Sequence, residues 1–237
     1  YTLKVSTDGS IEPDVKSTTL DAGTAQKVTL AANSGYLVDT ITITDGGKTG
    51  TLSASADSVS VNGHTYSITR GLDGKVVLSV PGVSADVSIH ATASSDKVYL
   101  QVETDSGISC SYKGVSYLNR GGDYTVRLVP DDDSEITSIR IESATDSVTL
   151  SSGDYRFMLD GVYYYVDTNR VNYDYGYDVN LHFPSLPGNL RITASSKETY
   201  HTITLKADSG ADYEGRDSKI RVEDGDSQTV SFLANSN

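Results

Sequence analysis

Tyrosines cluster in one stretch of this sequence. Six of the 16 tyrosines lie within VYYYVDTNRVNYDYGYDV (162–179), and the chain holds no tryptophan and only 3 phenylalanines. A tyrosine ring at the surface offers a large, rigid contact area and a hydroxyl group, which binding loops and interface hot spots use. A buried ring only fills the core. The stretch therefore predicts a recognition surface wherever its rings point outward.

The acidic residues and histidines of this chain lack the spacing that metal sites need. The acidic turns PDDDSE (130–135) and EDGDS (223–227) carry oxygen ligands that suit calcium, but not the alternating spacing of an EF-hand loop. The histidines show no metal-site spacing and have no cysteine partners; they are His64, His90, His182 and His201. We expect neither a metal site nor a cofactor.

Covalent chemistry has equally little support. Cys110 has no histidine nearby to activate its thiol, so we expect a small, buried or half-exposed side chain. Lys4 and Lys27 alternate with apolar neighbours and should point outward, away from any buried carboxyl group that an isopeptide bond requires. The paired carboxylates of a glycosidase need a cleft, which a small β domain seldom has. We therefore expect a chain that is not an enzyme.

The composition restricts the class of partner. The 237 residues carry a net charge of -13, which argues against nucleic acid and against anionic membrane surfaces. One cysteine allows no internal disulfide, and no apolar run approaches the 18 or more residues of a transmembrane helix. We expect no nucleic-acid partner and no membrane insertion in this segment. Any export or anchoring signal should lie outside these residues.

The sequence repeats itself. LKVSTDGSI (3–11) returns as LQVETDSGI (100–108) and as ITLKADSG (203–210). We expect a first β repeat at 1–97, a second at 98–196 with a tyrosine-rich insertion, and the start of a third, incomplete repeat at 197–237. Because half a domain cannot bury a core, we expect the native chain to continue past Asn237.

Each repeat is predicted to consist of strands. About seven short runs alternate apolar and polar residues, are rich in Val, Ile, Thr and Tyr, and are separated by Gly, Asp and Asn. In the first repeat they are TLKVS, KVTLA, DTITIT, SVSV, TYSITR, KVVLSV and VSIHATA. This pattern predicts an all-β chain of tandem immunoglobulin-like β-sandwich repeats, with β-grasp-like repeats as the alternative.

Two dipeptides predict hairpins with a known register. Asn62-Gly63 and Asp160-Gly161 tolerate the positive φ angles of a type I′ turn. In the first hairpin this turn places Val59, Val61, Tyr66 and Ile68 on the inward face and small Ser and Thr side chains on the outward face.

The second copy of that hairpin differs on its outward face. Its inward positions stay apolar, so Tyr164 should belong to the core. Where the first repeat has Ser and Thr, the second has Arg156, Met158, Tyr163 and Tyr165, and a longer loop follows the hairpin. The predicted ligand-binding residues are Arg156, Met158, Tyr163, Tyr165, Tyr173, Tyr175 and Tyr177.

The first repeat resembles a known class of module. YTLKVSTDGSIEP, AGTAQKVTLAANSGYLVDTITIT and LSVPGVSADVSIHATA are similar to the opening, central and closing strands of tandem β repeats in bacterial cell-surface proteins, namely divergent internalin B-repeats and bacterial Ig-like repeats. The chain lacks the tryptophan that follows the Gly-Tyr pair in the internalin type. The resemblance implies an extracellular protein of the bacterial surface that is not an enzyme, and it implies no ligand.

Two functions are consistent with this sequence. In the first, the chain is a segment of a surface adhesin, and the second repeat binds a host protein (immunoglobulins included) or a glycan. In the second, the repeats form a structural stalk that projects a distant domain, and the tyrosines seal the joints between repeats. Exposure of Tyr163 and Tyr165 would favour the first, and their burial under a neighbouring repeat would favour the second.

Overall fold

A computed structural model of the chain describes the backbone of residues 1–53, 55–132, 134–151, 153–172, 175–206, 211–213 and 219–234, and the side chains of the same residues apart from 169–172, 175–177, 212 and 213. The described residues form strands and turns, so the all-β prediction is confirmed. They contain no helix, and hence none that is long and apolar enough to cross a membrane.

The first ten strands form two five-stranded sheets. The strand orders are β3-β1-β10-β5-β6 and β2-β4-β9-β8-β7; β1 and β10 pair in parallel, and the other described pairs are antiparallel. The strands are β1 (Thr2–Thr7), β2 (Ile11–Pro13), β3 (Ser17–Thr19), β4 (Gln26–Ala32), β5 (Leu37–Asp45), β6 (Lys48–Leu52), β7 (Ser58–Val61), β8 (His64–Arg70), β9 (Val76–Val80) and β10 (Val87–Ser94).

The next ten strands repeat this arrangement. Their orders are β13-β11-β20-β15-β16 and β12-β14-β19-β18-β17, which are the same orders with every strand moved on by ten. The strands are β11 (Lys97–Thr104), β12 (Ile108–Cys110), β13 (Gly114–Asn119), β14 (Tyr124–Pro130), β15 (Ser134–Glu142), β16 (Ser147–Leu150), β17 (Arg156–Leu159), β18 (Val162–Asn172), β19 (Tyr175–Phe183) and β20 (Leu190–Glu198).

Each pair of sheets encloses its own core. The first core extends from Leu3 to Ala91 and the second from Val98 to Ala194, and each draws its buried residues from both of its sheets. We call these units the first and second sandwich. A core between two sheets is a sandwich rather than the β-grasp alternative, and the narrower immunoglobulin-like assignment stays a prediction.

The sandwiches contain more strands than the seven predicted from the sequence. The seven predicted runs correspond to β1, β4, β5, β7, β8, β9 and β10. The strands that were missed, β2, β3 and β6, have only three to five residues, and β3 (STT) and β6 (KTGTL) lack the apolar alternation on which the prediction depends. Pairing with a longer neighbour holds them in the sheet.

The predicted hairpins form in the predicted register. Val59 lies opposite Tyr66, and the turn residues Asn62 and Gly63 have φ angles of 52° and 82°. In the second sandwich Asp160 and Gly161 have φ angles of 52° and 75°. Positive φ at both central positions is the type I′ geometry, which matches the twist of the flanking strands.

The last strands form two small sheets. β21 (Tyr200–Thr204) pairs with β23 (Lys219–Glu223), and β22 (Ala211–Tyr213) pairs with β24 (Phe232–Ala234). Ile203, Phe232 and Leu233 are exposed. These four strands lie in the segment where the sequence analysis expected the start of a third repeat.

Direct contacts join the two sandwiches. The Nε of Arg70 donates to the hydroxyl of Tyr117 at 3.0 Å, and the side-chain amide of Asn189 donates to the carbonyl of Leu72 at 3.2 Å. Tyr99, which lies opposite Tyr117 in the sheet, is only 1% exposed. Burial raises the pKa values of both tyrosines. We call this contact region the joint.

A buried polar cluster lies at one end of the first core. The carboxylate of Asp45 is fully buried and accepts from the hydroxyl of Tyr66 at 2.9 Å and from Nδ1 of His64 at 2.6 Å. Burial, and then the hydrogen bond to this carboxylate, raise the pKa of Tyr66 above its ordinary value of 10.0.

The raised pKa of Tyr66 predicts a loss of stability in alkali. Below pH 10 this tyrosine is protonated in both states, and above pH 10 only the unfolded chain ionises, so unfolding becomes more favourable. Between pH 10 and 11.5 we expect the wild type to lose up to about 1.4 kcal/mol per pH unit more than Tyr66→Phe, which cannot ionise. Urea unfolding at a series of pH values measures the difference. Parallel curves for the two proteins would contradict the prediction.

Candidate functional site

Strand alternation places one set of side chains on the outward face of the β17–β18 hairpin. Phe157 and Tyr164 point into the second core, where their rings stack at 5.3 Å between centroids. Because side chains alternate across a strand, the residues on either side of Phe157 and of Tyr164 point to the opposite side of the sheet. In the register of the hairpin, Arg156 lies opposite Tyr165 and Met158 lies opposite Tyr163.

These outward side chains are open to solvent. Tyr163 is 56% exposed, Tyr165 is 57% exposed and Met158 is 51% exposed. Tyr155, which continues the hairpin because its carbonyl accepts from the amide of Val166, is 65% exposed. The group Tyr155, Arg156, Met158, Tyr163 and Tyr165 is the tyrosine face.

Arg156 occupies the middle of the tyrosine face. Its guanidinium carbon lies 5.3 Å from the ring centre of Tyr155 and 5.2 Å from that of Tyr163. Both distances are within the range of cation–π attraction. The two rings therefore limit the positions that the long, flexible arginine side chain samples.

A row of polar side chains continues the same sheet surface beyond the tyrosines. Nε2 of His182 donates to the carboxylate of Asp167 at 2.9 Å, and Nδ1 of His182 accepts from the hydroxyl of Thr125 at 3.0 Å when the ring is neutral. Asn180 lies opposite Asp167 in the neighbouring strand. The group Thr125, Asp167, Asn180 and His182 is the polar row.

An ion pair supports the end of the polar row. Asp178 is only 2% exposed although it belongs to the outward side of β19, and Nε of Arg127 donates to its carboxylate at 2.8 Å. A second nitrogen of the same guanidinium contacts the same oxygen. A buried carboxylate needs such a partner, because removing its charge from water is costly.

The first sandwich has no such surface at the same place. Ser58 lies opposite Ser67 and Ser60 lies opposite Thr65, at the positions of the outward Arg, Met and Tyr side chains of the second sandwich. The same fold therefore forms with small polar residues at these four positions. The aromatic side chains of the tyrosine face are not needed to build the sandwich.

The structure places the other candidate residues as follows. Tyr173 lies outside the described residues, and Tyr175 and Tyr177 belong to β19 with side chains outside the described part of the chain. Cys110 is half-buried against the second core, as expected. Lys4 and Lys27 are exposed, as the alternation predicts.

The acidic turns PDDDSE and EDGDS are described apart from residue 133. In the part of the chain that the structure describes, no three His, Cys, Asp or Glu side chains are arranged to hold a metal ion. A cleft of about 840 Å³ is lined by Asp105, Asp131, Asp132 and Glu198. The carboxylate of Asp105 already accepts from the amide and hydroxyl of Ser196.

Sequence reasoning missed part of the surface. Tyr155 precedes the predicted strand, and its arrangement beside Arg156 depends on the hydrogen bond that extends the hairpin. The polar row combines β14, β18 and β19, and no local pattern reveals that these strands are neighbours. The polar residues at alternate positions of β19 are the sequence feature that could have indicated the polar row.

Comparison with known proteins does not identify a family for the chain. No protein-family model matches the chain, and no curated protein matches it as a relative.

Proposed function

We propose that the chain is a non-enzymatic segment of an adhesin on the extracellular surface of a bacterium, and that the tyrosine face of the second sandwich binds a host protein or a glycan. The surface location follows from the resemblance to bacterial surface repeats. The site follows from the exposure of the tyrosine face, which replaces four Ser and Thr side chains of the first sandwich.

The physical argument is that these side chains contribute little to the stability of the sandwich. An exposed tyrosine or methionine on a sheet surface buries little area on folding, whereas covering it with a partner removes that area from water. Tyr and Arg are also the residue types that dominate binding hot spots. The second sandwich carries three tyrosines and one arginine together on one outward face. Such a surface is suited to recognition.

A double substitution tests this function. We expect the full chain to bind at least one of three immobilised probe classes, namely mucin glycans, polysaccharides and immunoglobulins. Tyr163→Ser/Tyr165→Ser, which restores small residues as in the first sandwich, should weaken that binding at least about 10-fold. The matched control is Tyr1→Ser/Tyr36→Ser, which removes two exposed rings from the first sandwich and should leave binding unchanged.

The joint favours a second function, that of a structural stalk. Arg70 and Tyr117 contact each other directly across the joint, and Tyr99 is buried there, so tyrosines do contribute to the contact between sandwiches. These are different rings from those of the tyrosine face. If the full chain binds none of the three probe classes, the adhesin function is wrong and the stalk takes its place.

A further inference from the structure

The tyrosine face contains one cation. Among the described residues, Arg156 forms no ion pair, whereas Arg127 is paired with Asp178 and Arg140 with Glu142. The chain has 32 acidic residues against 19 basic ones, so carboxylates are plentiful. Arg156 is exposed between two tyrosine rings and keeps its hydrogen-bond donors for a partner.

The natural partner of such a group is a carboxylate. A guanidinium presents its N–H donors in a planar fork that fits the two oxygens of a carboxylate. The rings of Tyr155 and Tyr163 hold the arginine in place, so less side-chain freedom is lost when the partner binds.

The geometry of the sheet surface argues against an extended peptide. β18 and β19 pair with a neighbour on both sides, and β17, the edge strand of this sheet, pairs with β18 on one side, so a further strand can add beside β17 but cannot pair on top of this face. Peptides that bind as strands add to a sheet edge instead. Only side chains are available on the tyrosine face.

The size of the face argues for a small partner. A stable protein interface uses about 20–30 residues a side, and the tyrosine face with the polar row has nine whose side chains the structure describes. A sugar ring needs less: its C–H face packs on an aromatic ring, and its hydroxyl groups pair with side chains such as Asp167 and Asn180.

The charge of the chain restricts the sugar further. A net charge of -13 repels a densely charged polyanion at long range, and one unpaired arginine cannot compensate for it. An otherwise neutral oligosaccharide with a single carboxylate avoids that repulsion and still supplies the group that Arg156 recognises.

We propose that the tyrosine face binds an otherwise neutral glycan that carries one acidic sugar, and that the carboxylate of this sugar pairs with Arg156. This inference rests on the proposed binding function of the same face. The neighbouring sugar packs on Tyr163 and Tyr165, and the polar row pairs with its hydroxyl groups. The acidic sugar is a sialic acid or a uronic acid, which share the carboxylate chemistry.

Matched glycans test the proposal with the full chain. The probes are sialyllactose, its methyl ester and lactose, with a glucuronate-terminated oligosaccharide and its methyl ester as the second acidic source. We expect at least one free acid to bind about 10- to 100-fold more tightly than its own ester, because the ester removes a charge-assisted hydrogen-bond pair. The acid–ester pair that shows this difference in affinity identifies the acidic sugar as a sialic acid or a uronic acid.

Substitutions identify the residue responsible. Arg156→Gln should remove the preference for the free acid over the ester, while Arg156→Lys should retain part of it because the charge remains. Arg140→Gln removes the same charge from an exposed position on the other sheet and should leave the preference intact. Thermal unfolding of the variants should stay close to that of the wild type, because both arginines are exposed and their contacts at the surface contribute little to stability.

The outcomes separate this inference from the proposed function. Equal binding of acid and ester that is still lost in Tyr163→Ser/Tyr165→Ser overturns the role of the carboxylate and keeps the face as a binding site. Binding of an immunoglobulin but of no glycan overturns the glycan and likewise keeps the site. Absence of binding to all probes overturns both, and equal losses in Arg156→Gln and Arg140→Gln overturn the assignment to Arg156.

Discussion

Tyr164→Ala should lower the free energy of unfolding of the second sandwich by about 3–5 kcal/mol, whereas Tyr163→Ala should change it by less than about 1 kcal/mol. The two residues are adjacent in sequence and identical in type. Tyr164 is 3% exposed, and its ring lies 5.3 Å from that of Phe157 and 5.2 Å from that of Phe183. Truncating it therefore leaves a large cavity among aromatic rings that cannot collapse completely.

Tyr163 provides the control because it differs only in the direction of its side chain. It is 56% exposed and contacts Arg156 by a cation–π interaction, which at an exposed site is worth about 0.5–1 kcal/mol. Urea unfolding of the full chain, followed by a probe of tertiary structure, measures both changes. Similar losses for the two variants would mean that the outward tyrosine also supports the sandwich, and the distinction between core and recognition surface would be wrong.

Arg127→Ala should destabilise the second sandwich by about 3 kcal/mol. The substitution removes the cation that faces the buried carboxylate of Asp178 and leaves that charge uncompensated. Breaking one side of a buried pair costs about 3–5 kcal/mol, and the lower end applies here because the side chain of Arg127 is 57% exposed and water screens it.

A second substitution decides whether the uncompensated charge is the cause. Arg127→Ala/Asp178→Asn removes the carboxylate as well and should recover most of the lost stability, because a neutral amide costs less to bury. Urea unfolding at pH 7 is the measurement. If the double variant is no more stable than Arg127→Ala, the loss comes from the packing of the arginine stem and not from the charge of Asp178.

Local pattern was sufficient for the hairpins and for four of the five residues of the tyrosine face, all but Tyr155. Side chains alternate across a strand with period two, and a two-residue type I′ turn leaves one register. From these two rules the inward position of Tyr164 and the outward positions of Tyr163 and Tyr165 follow without any tertiary information, and the structure confirms all three. The internal repeat supplied the comparison that marks the outward side chains as additions.

Alternation alone does not indicate where a second unit covers a sheet. Tyr99 lies between Val98 and Leu100, which point into the second core, so its own side chain points outward. It is nevertheless 1% exposed, in the region where Arg70 of the first sandwich reaches Tyr117. A period-two pattern specifies the face on which a side chain lies, and it contains nothing about what covers that face.

The sequence by itself determined the all-β class, the hairpin register and the identity of four of the five residues in the tyrosine face. These depend on interactions between residues close in the chain. Only the tertiary structure decided that the polar row extends this face, that Asp45 and Asp178 are buried with partners, and that Arg156 has no acidic partner among the described residues. Each of these depends on which distant strands become neighbours, and that choice is made by the packing of a whole core.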